Sequence, residues 1–147
     1  MEFHVRSARL TDIDAAIRIL MRDVPDPGEQ RDDADRLRSL LFLPAATVVV
    51  AVAERRLLGV GVLSLRPAVR SGPFVGVIDE LGLTSDDADA PSRTTIGNQI
   101  LEHLIGSARN KGCARVEVTD PLATAEPSLL ESAGFETQGA LLSRAIG

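Results

Sequence analysis

The chain of 147 residues contains no tryptophan, no tyrosine and only four phenylalanines. A core must therefore come from Leu, Val, Ile and Ala, and tyrosine is excluded as a catalytic acid. One cysteine, Cys113, rules out an intrachain disulfide and fits a reducing compartment. Lys111 is the only lysine, and the net charge is −5. An acidic chain lacks the basic face that a nucleic-acid partner needs to neutralise its phosphates. The longest apolar run, residues 47–53, is far too short to span a bilayer. The N-terminal residues carry nothing like a secretion signal. These absences give the expectation of a cytoplasmic protein with neither nucleic acid nor membrane as partner.

What is present reads as one ordinary domain. Hydrophobic residues make up 44% and charged residues 25% of the chain, enough apolar material for a core at this length. Residues 3–8 alternate like a strand. Thr11 opens a helix running to about Arg22, with Ile13, Ile17 and Leu20 at helical spacing. Pro25-Asp26-Pro27-Gly28 breaks it, and a second helix is expected over residues 31–42. The β-branched run 47–53 and residues 57–65 form a hairpin turned at residues 54–56. Residues 75–83 give a further strand, followed by an acidic loop, a small turn at residues 92–98 and a helix over residues 96–108. Asn110-Lys111-Gly112 stops that helix. A strand at 115–119, a short helix at 126–133 with Pro127 in its first turn, and two short strands at 135–137 and 141–146 complete the order. The result is a mixed α/β domain, β-α-α-β-β-β-α-β-α-β-β.

The stretch 75–108 organises the functional reading. A strand feeding a helix through small residues directs several backbone N–H groups at one spot, and the helix dipole adds to them, which makes an anion site. A phosphate-bearing ligand is the chemistry that suits it, although many βα connections of this kind bind nothing. On the strand, Asp79 and Glu80 are adjacent carboxylates, and alternation sends one of them to each face. Either could act as a general base, or they could belong to a structural ion pair or a solvated strand end. The remaining candidates read as structural: Glu54 in a turn, His4 and His103 on the surface, Cys113 as a small hydrophobe, and Asp120 initiating a turn before Pro121. Two distant histidines and one cysteine offer no metal-ligand spacing.

The element order and several local motifs resemble the GNAT superfamily of acyl-CoA-dependent N-acetyltransferases. Ile78-Asp79-Glu80-Leu81-Gly82-Leu83 is similar to its central strand, and Ile96-Gly97-Asn98-Gln99-Ile100-Leu101 to the start of its long helix. Leu129-Leu130-Glu131-Ser132-Ala133-Gly134-Phe135 is similar to its closing helix. The resemblance implies a central mixed sheet with two strands splayed apart and acetyl-CoA as co-substrate. It implies that Leu81, Gly82 and Leu83 face the pantetheine and thioester, and that Arg93, Thr94, Thr95, Ile96, Gly97 and Asn98 hold the pyrophosphate. Asp79 or Glu80 is then the base for a small-molecule or protein amine. An acceptor pocket is expected between residues 23–30, with Asp23, Asp26 and Glu29, and the C-terminal strands. The pyrophosphate motif, (Arg/Gln)-x-x-Gly-x-(Gly/Ala), is met here by Ser92, Thr95 and Gly97, so its cation and first glycine are replaced. Arg93 or the threonine hydroxyls are expected to substitute for them. The tyrosine often used as acid falls at Leu130. A catalytically inactive domain that binds CoA weakly or serves as an interaction module is the alternative. A homodimer is left open.

Overall fold

The computed structural model describes residues 2–21, 27–84 and 91–147, and of residues 27–29 the backbone only. Strand β1 (His4–Ser7) leads through a 3-10 turn (Leu10–Asp12) into α1 (Ile13–Leu20) and then α2 (Pro27–Leu40). Strands β2 (Ala46–Ala53), β3 (Arg56–Pro67) and β4 (Phe74–Leu83) follow, then α3 (Arg93–Asn110) and β5 (Cys113–Val118). Two short helices, α4 (Leu122–Ala125) and α5 (Pro127–Ser132), complete the regular structure. The sheet order is β1-β2-β3-β4-β5, antiparallel except for the parallel β4–β5 pair. Among the described residues no helix is long and apolar enough to cross a membrane.

The β-branched strands β2 and β3 are buried because both sheet faces are covered. Val49, Ala51, Leu63 and Ile78 pack under α3, α4 and α5. Val48, Val50, Val60 and Val62 pack under α1 and α2 with Ile13, Ile17 and Leu37. The β2–β3 hairpin closes on Glu54 and Arg55, both at positive φ (50° and 70°), the arrangement that a two-residue turn matching strand twist requires. Asp12 rather than Thr11 secures the first helical turn. Its buried carboxylate accepts from Arg6 (2.7 and 3.1 Å) and from the Arg9 backbone N–H (2.7 Å), and the Arg6 guanidinium holds it below the usual carboxylate range.

The central strand, its hairpin and parallel neighbours, and the helix packed on one face stand as the sequence indicates. Ile100, Leu101 and Leu104 are fully buried, and Ile105 is half-buried. Several boundaries differ. Helix α2 begins at Pro27 rather than Arg31, since proline's fixed φ suits a first helical position. Helix α3 begins at Arg93, so residues 93–98 are its first turns and not a separate loop. The signal was Ser92, an N-cap whose hydroxyl accepts from the Thr95 N–H (3.2 Å). The two C-terminal strands do not form: residues 135–147 are neither helix nor strand, and residues 136–147 are exposed throughout. Their alternation is a strand pattern with no neighbouring strand to pair with in a single chain.

Helix α3 packs directly against three strand positions that are glycine. A Cβ on Gly61 would lie 2.6 Å from Ile100 Cγ2 and 2.9 Å from Leu104 Cδ1. One on Gly59 would meet Ile100 Cδ1 at 2.8 Å, and one on Gly76 would meet Ala108 Cβ at 3.3 Å. Gly61→Val is expected to cost about 1–3 kcal/mol by overpacking. Thermal denaturation should register this as a fall of about 2–4 °C per kcal/mol at this chain length.

Candidate active site

The site is built where β4 parts from β5. Their parallel pairing runs from Phe74–Cys113 to Ile78–Val118, and the Thr119 N–H donates to the Ile78 carbonyl (3.3 Å). Beyond that point β5 ends and the chain turns off through Asp120-Pro121, while β4 continues to Leu83. Residues 79–83 therefore have β3 on one side and, among the described residues, no strand on the other. An unpaired strand edge offers backbone donors and acceptors to an extended ligand.

At the parting point β4 is bulged. Val62 pairs with Glu80 and Leu63 with Ile78, so Asp79 is an extra residue with no partner on β3. The bulge shifts the alternation. Gly76, Ile78, Leu81 and Leu83 all lie on the α3 face, with two residues between Ile78 and Leu81 instead of one. Gly82 lies on the opposite face, where an added Cβ would meet Ile19 and Leu20 of α1. Glu80, paired with Val62, shares that face with α1 and α2. The strict one-in, one-out expectation for Asp79 and Glu80 thus fails at this point, and a bulge leaves no periodic trace in the sequence that would have warned of it.

The electrostatics single out Glu80. Burial of part of its hydration shell pushes its carboxyl above the usual glutamate range, and the neighbouring charges of Asp79 and of Asp33 on α2 push it the same way. The residue itself still reaches solvent. A carboxylate held this way is a stronger proton acceptor than an ordinary glutamate. Asp33 is a participant the sequence reading did not name, since nothing in the chain order brings α2 to β4.

The tip of α3 lies at the far end of the same strand. The Arg93 guanidinium donates to the carbonyls of Leu83 (3.0 Å) and Thr84 (3.1 Å) and pairs with Glu126 (2.7 Å) at the start of α5. It is thus a brace joining β4, α3 and α5, which differs from the expected stand-in for the missing cation. The Thr95 N–H and hydroxyl are both engaged by Ser92 Oγ, and the Ile96 N–H donates to the Ser92 carbonyl. Thr94 is in the first turn, whose N–H groups have no preceding helical carbonyl to bond. Asn98 is half-buried one turn on, and Ile96 is fully buried in the core. Gly97 is packed against α5 and the end of β4. Its missing side chain makes room for Leu129, whose Cδ2 would lie 2.6 Å from an added Cβ, and for Leu83. Gly97→Val would therefore break α3–α5 packing and says nothing about a phosphate. Leu130 is buried in the same core, so no acid stands at that position.

Two hollows lie beside the parted strands rather than between them. One of about 790 Å³ is lined by Arg6, Arg18, Arg55 and Arg56 and reaches Leu83 and Thr84. Asp12 also lines this hollow and is paired with Arg6. The other, of about 270 Å³, lies between the end of α3 and β5. His4 and His103 are exposed, and among the described residues no group of three or more His, Cys, Asp or Glu side chains could hold a metal. Asp120 accepts from the Thr124 hydroxyl (2.6 Å) in its turn. Burial pushes the Cys113 thiol up, so it is not an activated nucleophile. Asp23 and Asp26 lie outside the described residues, as does the Glu29 side chain.

No protein-family profile matches the chain, and no curated protein matches it in sequence. Solved structures match in fold. The aminoglycoside N-acetyltransferase AAC(6')-Iy in complex with CoA superposes at a TM-score of 0.76, 16% identical, over 99% of this chain and 95% of its own. An aminoglycoside acetyltransferase, meta-AAC0020, from an uncultured soil metagenomic sample and in complex with sisomicin gives 0.73, 18%, 99% and 97%. A transcriptional regulator from Bacillus halodurans C-125 gives 0.78, 18%, 99% and 100%. The chain therefore has the GNAT acetyltransferase fold that its sequence resembles.

The brace makes a test of the site's rigidity. Arg93→Ala removes two bonds to carbonyls and an ion pair that is about one-third exposed. It should destabilise by about 1–3 kcal/mol. Glu126→Gln, which keeps the carbonyl bonds, should cost less than half as much in chemical denaturation.

Proposed function

We propose that this protein is an acyl-CoA-dependent N-acetyltransferase that moves an acetyl group from acetyl-CoA to an amine. The observation that carries the reading is the parting of β4 from β5 after Ile78–Val118, with the tip of α3 held at the other end of the exposed strand. A pantetheine arm is extended and carries amides, so it suits the open edge at Leu81, Gly82 and Leu83. The pyrophosphate would sit at the first turn of α3, at Thr94 and Thr95, where N–H groups and the helix dipole favour an anion. Arg93 would hold that turn in place, and the arginines near Thr84 add positive potential. The acetyl thioester would then lie at the bulge.

Acyl transfer to an amine needs the amine neutral, the thioester held and the thiolate protonated or stable as it leaves. Glu80 would take the proton from the incoming ammonium, directly or through water, and Asp79 and Asp33 raise its affinity for that proton. The amine nitrogen bonds to the acetyl carbon as the C–S bond breaks. No tyrosine is available to protonate the thiolate. A thiol's reference pKa of about 8.5 makes thiolate a fair leaving group near neutral pH. The carboxylates on this face favour a cationic acceptor, and the acetyltransferases of the same fold that act on aminoglycosides support a small-molecule amine. A cytoplasmic enzyme fits the single half-buried cysteine.

Calorimetry should show acetyl-CoA binding by the parent protein. Glu80→Gln should leave that affinity nearly unchanged and lower turnover by about two to four orders of magnitude. Asp79→Asn should act mainly through Glu80 and be milder. Because the folded state raises the Glu80 pKa, the base is lost as pH falls through a value above about 4.3, its ordinary one. Turnover in the parent should climb with pH through that raised value, and the limb should vanish in Glu80→Gln. The sign of the linkage separates activity from folding: a raised carboxyl pKa contributes stability only at low pH and loses it as pH rises, so Glu80→Gln should not melt earlier at neutral pH. If acetyl-CoA fails to bind at millimolar concentration, the reading is wrong. If it binds but thiol release is absent with every amine in a panel, the domain is a non-catalytic CoA binder.

A further inference from the structure

The larger hollow, of about 790 Å³, has walls from three separate elements. Ala15, Arg18 and Ile19 line it from one face of α1, where positions three and four apart are neighbours. Val52 and Leu57 pair across the end of the β2–β3 hairpin and lie on the α1 side of the sheet. Leu83 and Thr84 close the hollow at the end of β4. Most of this surface is apolar, and the volume lies in the range of about 300–1,000 Å³ that holds small-molecule ligands.

The charge of the walls is one-sided. Among the described residues that line the hollow, four are arginines and Asp12 alone is acidic. Asp12 is matched by Arg6, whose guanidinium donates to both its oxygens (2.7 and 3.1 Å). Beyond that neutral pair the walls carry Arg18, Arg55 and Arg56, all exposed, in a chain of net charge −5. A concavity lined by one sign of charge concentrates ions of the other. The backbone adds an independent observation. The hairpin turn holds Arg55 at a φ of 70°, which glycine or asparagine adopts more readily. Glu54 beside it, at 50°, does not line the hollow. Arginine is a poor residue for that turn and a good one for that wall, because its planar fork grips phosphate oxygens in pairs.

We propose that this hollow is a ligand site for a small molecule that carries two or more phosphate groups on an apolar or ring-bearing body. The phosphates lie among Arg18, Arg55 and Arg56, and the body rests on Ala15, Ile19, Val52 and Leu57. The site does not rest on the acetyl-CoA reading. It shares only Leu83 with the pantetheine edge described above, and α3 packs on the opposite face of the sheet.

Titration with inorganic pyrophosphate and with ADP, followed by nuclear magnetic resonance, locates the contact. Both should shift the amides of residues 15–19 and 55–57, and should do so equally when acetyl-CoA is present in excess. ADP should bind at least about tenfold more tightly, since its base and ribose cover apolar wall that pyrophosphate leaves in water. The pair Arg18→Gln with Arg55→Asn should weaken both ligands at least about tenfold, the size of one lost charged hydrogen bond. It should melt no earlier than the parent, because glutamine suits a helix and asparagine suits the turn. Arg55→Asn alone should weaken both ligands by a smaller factor. Shifts confined to residues 93–98, or lost when acetyl-CoA is added, overturn the proposal and give the phosphates to the first turn of α3. No shift at millimolar ADP overturns it, and so do folded variants that bind both ligands as the parent does. ADP that binds no better than pyrophosphate overturns the place given to the body. Should acetyl-CoA itself fail to bind, the titration of the free protein still decides, so the two readings fail separately.

Discussion

The architecture depends on how closely α3 approaches the sheet. Gly59, Gly61 and Gly76 withhold their side chains along the path of the helix, and Ile100, Leu104 and Ala108 occupy that space. Helix and strands pack at this distance only when the facing positions are small, and packing at crystal-like density leaves no room for a gradual alternative. The close seat aims the first turn of α3 at the end of β4. Gly97 repeats the device one turn from the tip, where Leu129 of α5 fills the vacated volume. The seat of the anion-favouring helix end on the sheet is thus a consequence of one row of glycines.

The parting of the sheet follows from the pairing partners. A parallel pair is slightly weaker per residue than an antiparallel one. Here β4 has nine partners along antiparallel β3 and four along β5. The strand stays with β3 when β5 turns away at Asp120, and the bulge at Asp79 adds twist where the two separate. Asp79 and Glu80 stand at the one place on the strand where backbone edge, broken alternation and crowded carboxylates coincide.

Much of this was legible in the residues. Valine runs gave the hairpin, apolar spacing gave the buried stripe of α3, and Pro127 and Gly134 bracketed α5. What escaped was what depends on contacts between distant segments. The bulge leaves no signal in alternation, and Ser92 looked like part of a turn until its hydroxyl was seen capping a helix that starts at Arg93. That Gly97 accommodates Leu129 was not legible either, because a small residue does not say which neighbour it makes room for. The strand expected at 141–146 does not form, since strand formation needs a second strand and apolar composition does not say where that strand comes from. The nearness of Asp33's like charge to Glu80 likewise required α2 to be folded over the sheet.

The grip of Arg93 has a bearing on how this protein can vary. One guanidinium takes the carbonyl of Thr84, where β4 ends, while its own backbone opens α3. The excursion through residues 85–92 therefore leaves from and returns to the same bracket. Closing a loop whose ends are already fixed costs little more when the loop lengthens, since the entropy grows only with the logarithm of its length. Insertions and deletions in that excursion can accumulate without moving the helix tip or the strand edge. Evolution or a designer can therefore exchange the stretch of sequence between Thr84 and Ser92 while the bracket holds, much as hypervariable loops are exchanged on a fixed scaffold.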